Sequence, residues 1–459
     1  MIQIKYIKHI LIVTGILIFT SCNLTDVTDV DPVYQISEDK VITNIDQAQT
    51  ALYGTYGALI DGASYISYTP AITSMMGLTM KPGVWGGGTE NSFFKNDVLS
   101  DNYYLELIYT DMYFLINNAN HVITKTEKLE TEDTRKNEIV AEAKFLRALS
   151  NFYLLRLWGE FFDENSTNGI VLKKEPIVSA NPQARASVAE TYNLILEDLE
   201  YAIQYAPSFS DTFYASSIAA KALKSKVLLY KKDYSNAAQV ALEVINSNER
   251  ELEDTFSDIF TKKIIETKEA IFQTPFDNSN DRNNKAFMYR AYFGVSDYYI
   301  SQIEDDARYE AAIAYTSSGS ARNNKFNNSV YNGVPLTADT EYFLRLGEIY
   351  LIYAEAVLRG NDDIDEALDA LNNIRERSEN TLISSTNKDE ILEAIRVEKV
   401  LELGAESGEE WYDLVRYHKE GNIDINTYKE ISSDTKLILP LPIQTVQLSE
   451  GLINQNPGY

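Results

Sequence analysis

The only cysteine of the 459-residue chain, Cys22, stands where its thiol could carry a lipid. It follows two small residues and a short apolar run, 10–19, that is itself preceded by lysines. A basic start and an apolar run too short to span a membrane are typical of a secretory signal. A cysteine at the cleavage point is typical of a bacterial lipobox, in which the thiol is acylated. The sequence therefore predicts a signal peptide over 1–21 and a polar tether over 22–42 that begins with the acylated Cys22. A free thiol beside an ordinary cleavage site is the alternative.

Aromatic side chains in irregular, polar segments form a second group with a chemical use. Flat rings pack against the apolar faces of pyranose sugars, while amides and charged groups bind the hydroxyls. Trp85 lies in a Gly- and Pro-rich segment where helix packing does not require an aromatic residue. A later set stands among Asn and Asp residues, and its candidates for ligand contact are Asn283, Tyr292, Tyr298 and Tyr299. A lid over the core is the alternative for Trp85, and a small satellite core is the alternative for the later set.

Residue types that carry catalysis are scarce in this sequence. Removal of 1–21 leaves two histidines, His121 and His418, and the sequence has neither a Gly-x-Ser-x-Gly elbow nor a phosphate-binding loop. Carboxylate pairs suited to glycoside cleavage carry no information in a chain with 68 Asp and Glu residues. A calcium-like spacing that starts at Asp277 lacks the glycine and the final glutamate of such a loop. We therefore expect no catalytic site, no metal and no other cofactor.

The charge balance excludes one class of partner. The chain has 41 Lys and Arg residues against 68 Asp and Glu residues, with a net charge of -27. Such a chain repels phosphate backbones, so we expect no nucleic-acid partner. Four acidic residues have helical spacing, which favours a solvated or salt-bridged helix face over a reactive site: Glu402, Glu406, Glu409 and Glu410.

Helices are the elements that must position these side chains. Apolar residues recur at helical spacing in four segments, which are 43–60, 104–160, 188–249 and 340–417. Two helix pairs within them, 215–247 and 341–377, have small residues at the spacing of tetratricopeptide repeats, although any antiparallel helical hairpin could share it.

The remaining segments, 62–100 and 250–339, are rich in Gly, Pro, Asn and aromatic residues, which favours loops. The sequence thus predicts an all-α fold, in which a tetratricopeptide-like helix-pair scaffold carries a loop-rich ligand-binding part within one globular domain over 43–459.

Four blocks of sequence resemble the SusD/RagB family. They are the helical segments 142–159, 341–378 and 391–417 and the C-terminal QNPGY at 455–459. The matching positions include Glu142, Arg147, Trp158, Gly159, Arg345, Ala354, Glu355, Asn372, Arg375, Arg377, Glu398, Glu402, Trp411, Asp413 and Arg416. With the lipobox, the resemblance covers essentially the whole chain. Lys399 and Glu410 stand where the family has Arg, and Ser407 stands where it has Glu, so a local ion pair is expected to differ.

The resemblance implies a lipid-anchored protein of the outer membrane, exposed at the cell surface and without catalytic activity. Family members cap a TonB-dependent, SusC-like transporter and capture oligosaccharides or polysaccharide chains for import. The family draws its ligand-contacting aromatic residues from an early loop and from a later insertion, which are the regions of Trp85 and of Tyr298 and Tyr299. A peptide-capturing lipoprotein of the same architecture is the alternative, and a secreted hydrolase is a third hypothesis.

Overall fold

The computed structural model describes residues 41–179, 181–263, 267–275, 283–326 and 339–459. In chain order the α-helices are α1 (Ile45–Gly57), α2 (Thr69–Met76), α3 (Gly88–Phe94), α4 (Tyr103–Glu127), α5 (Arg135–Trp158), α6 (Val188–Tyr205), α7 (Ser217–Tyr230), α8 (Tyr234–Ile245), α9 (Phe256–Thr261), α10 (Lys285–Ala291), α11 (Asp297–Ile303), α12 (Tyr309–Ala312), α13 (Leu346–Asn361), α14 (Ile364–Arg377), α15 (Lys388–Leu403), α16 (Glu409–Lys419) and α17 (Ile443–Gln447). The all-α prediction is confirmed.

The ends of the scaffold helices follow from local sequence. Helix α6 begins at a capping box, in which the Ser187 hydroxyl accepts a bond from the backbone N–H of Glu190 at 3.1 Å. The Glu190 carboxylate accepts the backbone N–H of Ser187 in return, at 2.8 Å. The helix ends at Ala206 in an extended conformation, directly before Pro207, because proline disfavours a helical residue in front of it.

The two predicted helix pairs are present as the antiparallel pairs α7–α8 and α13–α14. Helix α8 also packs against α13, so the two pairs lie side by side although they are far apart in sequence. Alanines at the contacts, such as Ala237, Ala241 and Ala354, are completely buried. Small side chains allow the helix axes to approach closely, which is the packing that the repeat spacing predicts.

The interpretation of 62–100 as a long loop is wrong. This segment contains a 3-10 turn at Asp61–Ala63, a π-helical turn at Ser64–Tyr68, and helices α2 and α3. Pro70 stands in the first turn of α2, where its missing N–H is harmless, so it begins a helix rather than breaking one. Every residue of α2 is buried, which explains how a segment with loop-like composition becomes part of the core.

The last part of the predicted helical segment 340–417 is divided into two helices, α15 and α16. The break spans 404–408 and ends at Gly408, whose φ of +78° belongs to the left-handed region that favours glycine. A Cβ atom there would also lie 1.7 Å from the hydroxyl oxygen of Thr73. The chain therefore turns at this glycine so that α16 can pack against α2.

Short antiparallel strand pairs are inserted between the helices. They are β1 (Met80–Pro82) with β3 (Phe293–Val295), β2 (Ala270–Gln273) with β6 (Tyr342–Arg345), and β4 (Ile313–Tyr315) with β5 (Ala321–Asn323). The register of the first pair sets Met80 opposite Val295 and Pro82 opposite Phe293. This pairing joins the two segments that were predicted to carry the ligand site, 62–100 and 250–339.

The predicted signal peptide and the acylation site at Cys22 lie outside the described residues. The first described residues, 41 and 42, end the predicted tether, and Ile42 is buried against the scaffold. Within the described ranges, none of the helices has the length and apolar character that a membrane span needs.

The acidic face of α15 and α16 lies inside the protein, among arginines. Glu402 contacts Arg345 at 2.6 Å and Arg308 at 3.0 Å, and it also binds Arg377. Burial by itself would raise the pKa of Glu402, but the charges of Arg377, Arg345 and Arg308 outweigh burial and hold the pKa below its usual value. Glu406 and Glu409 are ion-paired too, with Arg345 and Arg156, so three of the four acids are salt-bridged, and all four are buried rather than solvated.

Candidate ligand-binding face

A backbone seam joins the segment after β1 to the end of α10. The N–H of Gly83 donates to the carbonyl of Tyr292 at 2.7 Å, and the N–H of Trp85 donates to the carbonyl of Ala291 at 2.9 Å. Gly83 is required here, because a Cβ atom would lie 2.8 Å from the carbonyl oxygen of Ala291. The seam therefore holds Trp85 beside the side chains of α10.

Three rings from the two sides of this seam form a cluster, which we call the aromatic face. The ring centre of Trp85 lies 5.8 Å from that of Phe287 and 6.0 Å from that of Tyr292, and both contacts are edge-to-face. Phe287 and Tyr292 lie 6.4 Å apart. Trp85 is 61% exposed, whereas Phe287 and Tyr292 are partly buried against the core.

More tyrosines continue the aromatic face towards α4. Helix α10, which Tyr292 directly follows, packs against the π-helical turn that ends at Tyr68. Burial raises the pKa of the Tyr68 hydroxyl, and the Tyr103 and Tyr292 hydroxyls add to that shift. Tyr68 packs against Tyr104 at 5.1 Å, and Tyr104 packs against Tyr103 at 5.7 Å. Tyr103 is 65% exposed. A row of rings thus runs from Trp85 through Tyr292 and Tyr68 to Tyr103.

Of the predicted ligand residues, the structure brings together Trp85 and Tyr292. The expectation that Tyr299 lies on an exposed loop is wrong, because its ring is completely buried and its hydroxyl lies 3.5 Å from the carbonyl of Leu401. Asn283 is also completely buried, and its amide donates to the carbonyl of Asp339 at 2.7 Å. Neither side chain reaches the surface that a ligand would contact.

Tyr298 is partly exposed but lies in different surroundings. Its neighbours are Arg396 on α15 and Tyr428, and burial raises the pKa of its hydroxyl while the charge of Arg396 opposes that shift. The N-cap of α11 explains the contrast with Tyr299: the Ser296 hydroxyl accepts the N–H of Tyr299 at 3.0 Å and so sets the rotation of the helix. One of the two adjacent tyrosines therefore faces the core and the other faces α15.

Tyr103 and Phe287 complete the aromatic face, but they are not among the predicted ligand residues. Tyr103 is the first residue of α4, directly after the N-cap Asn102, whose side chain accepts the N–H of Tyr104 at 3.0 Å. An aromatic residue at a helix start and outside the apolar face is the signal that could have identified it. No comparable signal separates Phe287 from its neighbours, because its role depends on the seam.

A buried acid, Glu410, contacts the residue that precedes β1 and so supports the backbone seam. Thr79, which precedes β1, donates its hydroxyl to Glu410 of α16, and the carbonyl of Thr79 accepts the N–H of Ser296 at 3.0 Å. Among the described residues Glu410 has no cationic partner, and burial raises its pKa to about 7. Lys399, the second departure from the family pattern, keeps an ion pair, with Glu355 at 2.5 Å.

A polar cleft of about 530 Å³ adjoins the aromatic face. Gly83 and Val84 line it directly before Trp85, and Phe293 lines it directly after Tyr292. Its charged side chains come from β1, α10, the start of α11 and β5. In the part of the chain that the structure describes, no group of three or more His, Cys, Asp or Glu side chains is arranged to hold a metal ion.

Comparison with known proteins gives consistent matches over most of the chain. A family model described as "SusD family" matches residues 298–459, and a model described as "Starch-binding associating with outer membrane" matches residues 36–229. A "SusD-like protein" of Bacteroides ovatus is 25% identical over 71% of this chain and 67% of its own length. "SusD-like protein P38" of Formosa agariphila is 26% identical over 89% of this chain and 90% of its own length.

The fold agrees with these matches. A solved structure named "Laminarin binding SusD-like protein" superposes with a TM-score of 0.76 at 24% identity, over 91% of this chain and 100% of that one. The two family matches cover the helical scaffold and the C-terminal blocks, and the fold is shared almost from end to end. The chain therefore belongs to the SusD family, whose members include sugar-binding proteins associated with the outer membrane.

Proposed function

We propose that this chain is a lipid-anchored protein of the cell surface that captures oligosaccharide or polysaccharide chains on the aromatic face. It then passes them to a TonB-dependent, SusC-like transporter in the outer membrane. The observation that carries this proposal is the row of rings from Trp85 to Tyr103, in which the two end residues are 61% and 65% exposed. Exposed rings that are grouped on one face, rather than scattered singly, mark a candidate binding surface, and flat rings suit the apolar faces of sugars.

Two further observations support the proposal. Backbone hydrogen bonds hold Trp85 in place before any ligand arrives, so little conformational entropy is lost on binding. The solved structure with a shared fold is named as laminarin-binding, and one of the matching family models is described as starch-binding. Predicted acylation of Cys22 would keep the aromatic face at the membrane surface, close to a transporter.

A binding screen with the chain from residue 22 onward tests the proposal. Laminarin, starch and a panel of plant and algal glycans would be examined by affinity electrophoresis and calorimetry. We expect at least one glycan to bind, and we expect Trp85→Ala to weaken that binding by about tenfold or more, as loss of a central aromatic contact does. Tyr53→Ala is the matched control, because Tyr53 is an exposed ring on α1 away from the aromatic face.

Two outcomes would count against this function. Unchanged glycan binding in Trp85→Ala would remove the aromatic face from the proposal. Absence of binding to every glycan, together with a peptide that copurifies with the transporter complex, would favour the peptide-capturing alternative. Transfer is tested separately by copurification: we expect an affinity-tagged chain to retain a TonB-dependent outer-membrane protein.

A further inference from the structure

A single carboxylate, that of Glu90, connects the two ends of the aromatic face. Its Oε2 atom accepts the backbone N–H of Gly87 at 2.7 Å, and its Oε1 atom accepts the hydroxyl of Tyr104, also at 2.7 Å. Gly87 follows Trp85 by two residues, and Tyr104 directly follows Tyr103. These two bonds, which we call the Glu90 bridge, therefore link the segment of one exposed ring to the neighbour of the other.

The bond between Glu90 and Tyr104 is protected from water, because each of the two residues is only 6% exposed. A hydrogen bond to a charged group is stronger where water is excluded. Burial raises the pKa of the Tyr104 hydroxyl, and the bond to Glu90 raises it further, so the hydroxyl keeps its proton and remains a donor. Solvent therefore does not compete for the Tyr104 end of the bridge.

The chain between Trp85 and α3 passes through three glycines, Gly86–Gly88, which we call the glycine turn. A Cβ atom at Gly88 would meet no atom within 4 Å, and one at Gly87 would meet only the Glu90 carboxylate, at 3.8 Å. Glycine allows the backbone more freedom than any other residue. The bond from Gly87 to Glu90 therefore restrains a part of the chain that packing leaves free.

Other contacts hold α3 on α4 without the carboxylate of Glu90. Phe93 is completely buried, and its ring centre lies 6.1 Å from that of Tyr104. The amide of Asn102, the N-cap of α4, donates to the hydroxyl of Ser92 at 3.0 Å. Neither contact reaches the glycine turn. The bridge therefore adds the position of that turn relative to the tyrosines, and the docking of the helix does not depend on it.

We infer that Glu90 is a positioning residue for glycan capture, which fixes the separation between Trp85 and Tyr103. The inference rests on the proposed function, because it concerns a ligand that lies along the aromatic face. A glycan long enough to contact both exposed rings gains affinity from both, since the glycine turn is already ordered before binding. A short glycan that contacts one ring gains nothing from the bridge. Glu90 thus favours long chains over short ones.

Ligands of different length test the inference on the chain from residue 22 onward. Calorimetry would compare laminaritriose with laminariheptaose, and maltotriose with maltoheptaose. In Glu90→Ala we expect the longer member of a bound pair to lose about tenfold in affinity, the order of one hydrogen bond to a charged group, while the shorter member binds as before. Tyr104→Phe keeps the bond to Gly87 and should lose affinity for the longer member as well. If Glu90→Ala does not fold, Tyr104→Phe carries the test.

A second measurement needs no ligand. Trp85 is exposed, whereas Trp158 and Trp411 are buried, so iodide quenches the fluorescence of Trp85 selectively. The anisotropy of that quenchable fraction reports how freely the Trp85 ring moves. We expect this anisotropy to fall in Glu90→Ala, because the glycine turn is no longer tied to α4.

Three further variants separate the bridge from a helix cap. Glu90→Gln should behave as the wild type, since its amide can still accept the N–H of Gly87 and donate to the Tyr104 oxygen. Glu190→Ala is the matched control: it removes the carboxylate at the same position of α6, which packs between α5 and α7, and should leave the preference for long chains unchanged. Gly88→Ala added to Glu90→Ala strengthens α3 but not the bridge, so it should recover nothing.

The results separate this inference from the proposed function. Equal losses for short and long ligands in Glu90→Ala, or no loss at all, would overturn the inference while glycan capture stands. An anisotropy of Trp85 that stays at its wild-type value would overturn it too. Recovery of the preference for long chains in the double variant with Gly88→Ala would make Glu90 a helix cap only. If the wild type binds no glycan, the proposed function fails and the inference fails with it.

Discussion

The hydroxyl of Thr79 donates a hydrogen bond to the buried carboxyl of Glu410, a residue 331 positions further along the chain. This contact connects the last helix of the family blocks to the strand that precedes Trp85. Glu410 has no cationic partner among the described residues, so the strand that precedes Trp85 is supported by an uncompensated buried acid.

The first prediction concerns pH. Burial raises the pKa of Glu410 from 4.5 to about 7, so the folded protein holds a proton that the unfolded chain has already released. This stabilisation is complete below pH 4.5 and is lost as the pH rises through 7, by ~3 kcal/mol in all. We expect Glu410→Gln, measured by urea unfolding at several pH values, to lose correspondingly less stability over that interval.

Other groups require a control for this experiment. Burial also raises the pKa of Glu142 to about 7 and that of Glu341 to about 8, so both contribute to the wild-type slope. The informative quantity is therefore the difference in pH slope between Glu410→Gln and Glu132→Gln, where Glu132 is an exposed acid in the α4–α5 connection. Parallel slopes for the two variants would contradict the prediction.

The second prediction concerns the length of the ligand. Tyr103 ends the row of rings, so Tyr103→Ala should weaken binding of long oligosaccharides by several-fold and leave the shortest bound ligand unaffected. Tyr298→Ala should bind ligands of every length as the wild type does, because Tyr298 lies against Arg396 and Tyr428. Calorimetry with oligosaccharides of increasing length measures both. A loss of affinity in Tyr298→Ala would place the ligand on the other side of α11.

The third prediction concerns the anchor. We expect Cys22→Ala to move the protein from the membrane fraction to the soluble fraction of the cell envelope, because the acylated thiol is the predicted attachment. Membrane fractionation, with metabolic labelling by a palmitate analogue, measures the change. Cys22→Ala that stays in the membrane fraction would show that another contact retains the protein there.

The fourth prediction concerns the buried ion pairs. Arg345 contacts Glu269 at 2.8 Å, Glu402 at 2.6 Å and Glu406 at 3.0 Å, and its side chain is 2% exposed. Arg345→Met leaves these acids without their shared cation, which should destabilise the fold by about 3–5 kcal/mol. Arg135→Met removes a partly exposed arginine that pairs with Asp133 and Asp46 at the surface and should change the unfolding free energy little. Similar midpoints of denaturation for the two variants would contradict the prediction.

Periodicity predicts most of the scaffold, because helices such as α6 and α7 carry apolar residues at helical spacing and serine N-caps, and both signals are local in sequence. Composition misleads at 62–100, where the Gly- and Pro-rich stretch also contains buried residues such as Ile72 and Met75. Gly408 lies within the family block 391–417, but its effect on α15 and α16 depends on the position of Thr73, which lies far away in the sequence.

Less of the candidate site than of the scaffold could be predicted from the sequence. Trp85 and Tyr292 could be singled out because aromatic residues in polar segments need a reason to be there. The burial of Tyr299, beside a partly exposed Tyr298, follows from the Ser296 cap and the packing of α11, and neither is visible in composition. The pairing of β1 with β3, which brings Trp85 to Phe287, is a long-range contact without a local signature.

The pairing of β1 with β3 also has a consequence for biogenesis. The hydroxyl of Ser296 donates to the carbonyl of Leu78, which lies 218 positions earlier in the chain. The segment that carries Trp85 therefore cannot complete the aromatic face until the segment with Phe287 and Tyr292 has been synthesised and exported. Contacts of such long sequence separation form slowly. We expect a secreted fragment that ends before α10 to form the first helix pairs but to bind no glycan. Glycan binding would then report that the whole chain has been exported.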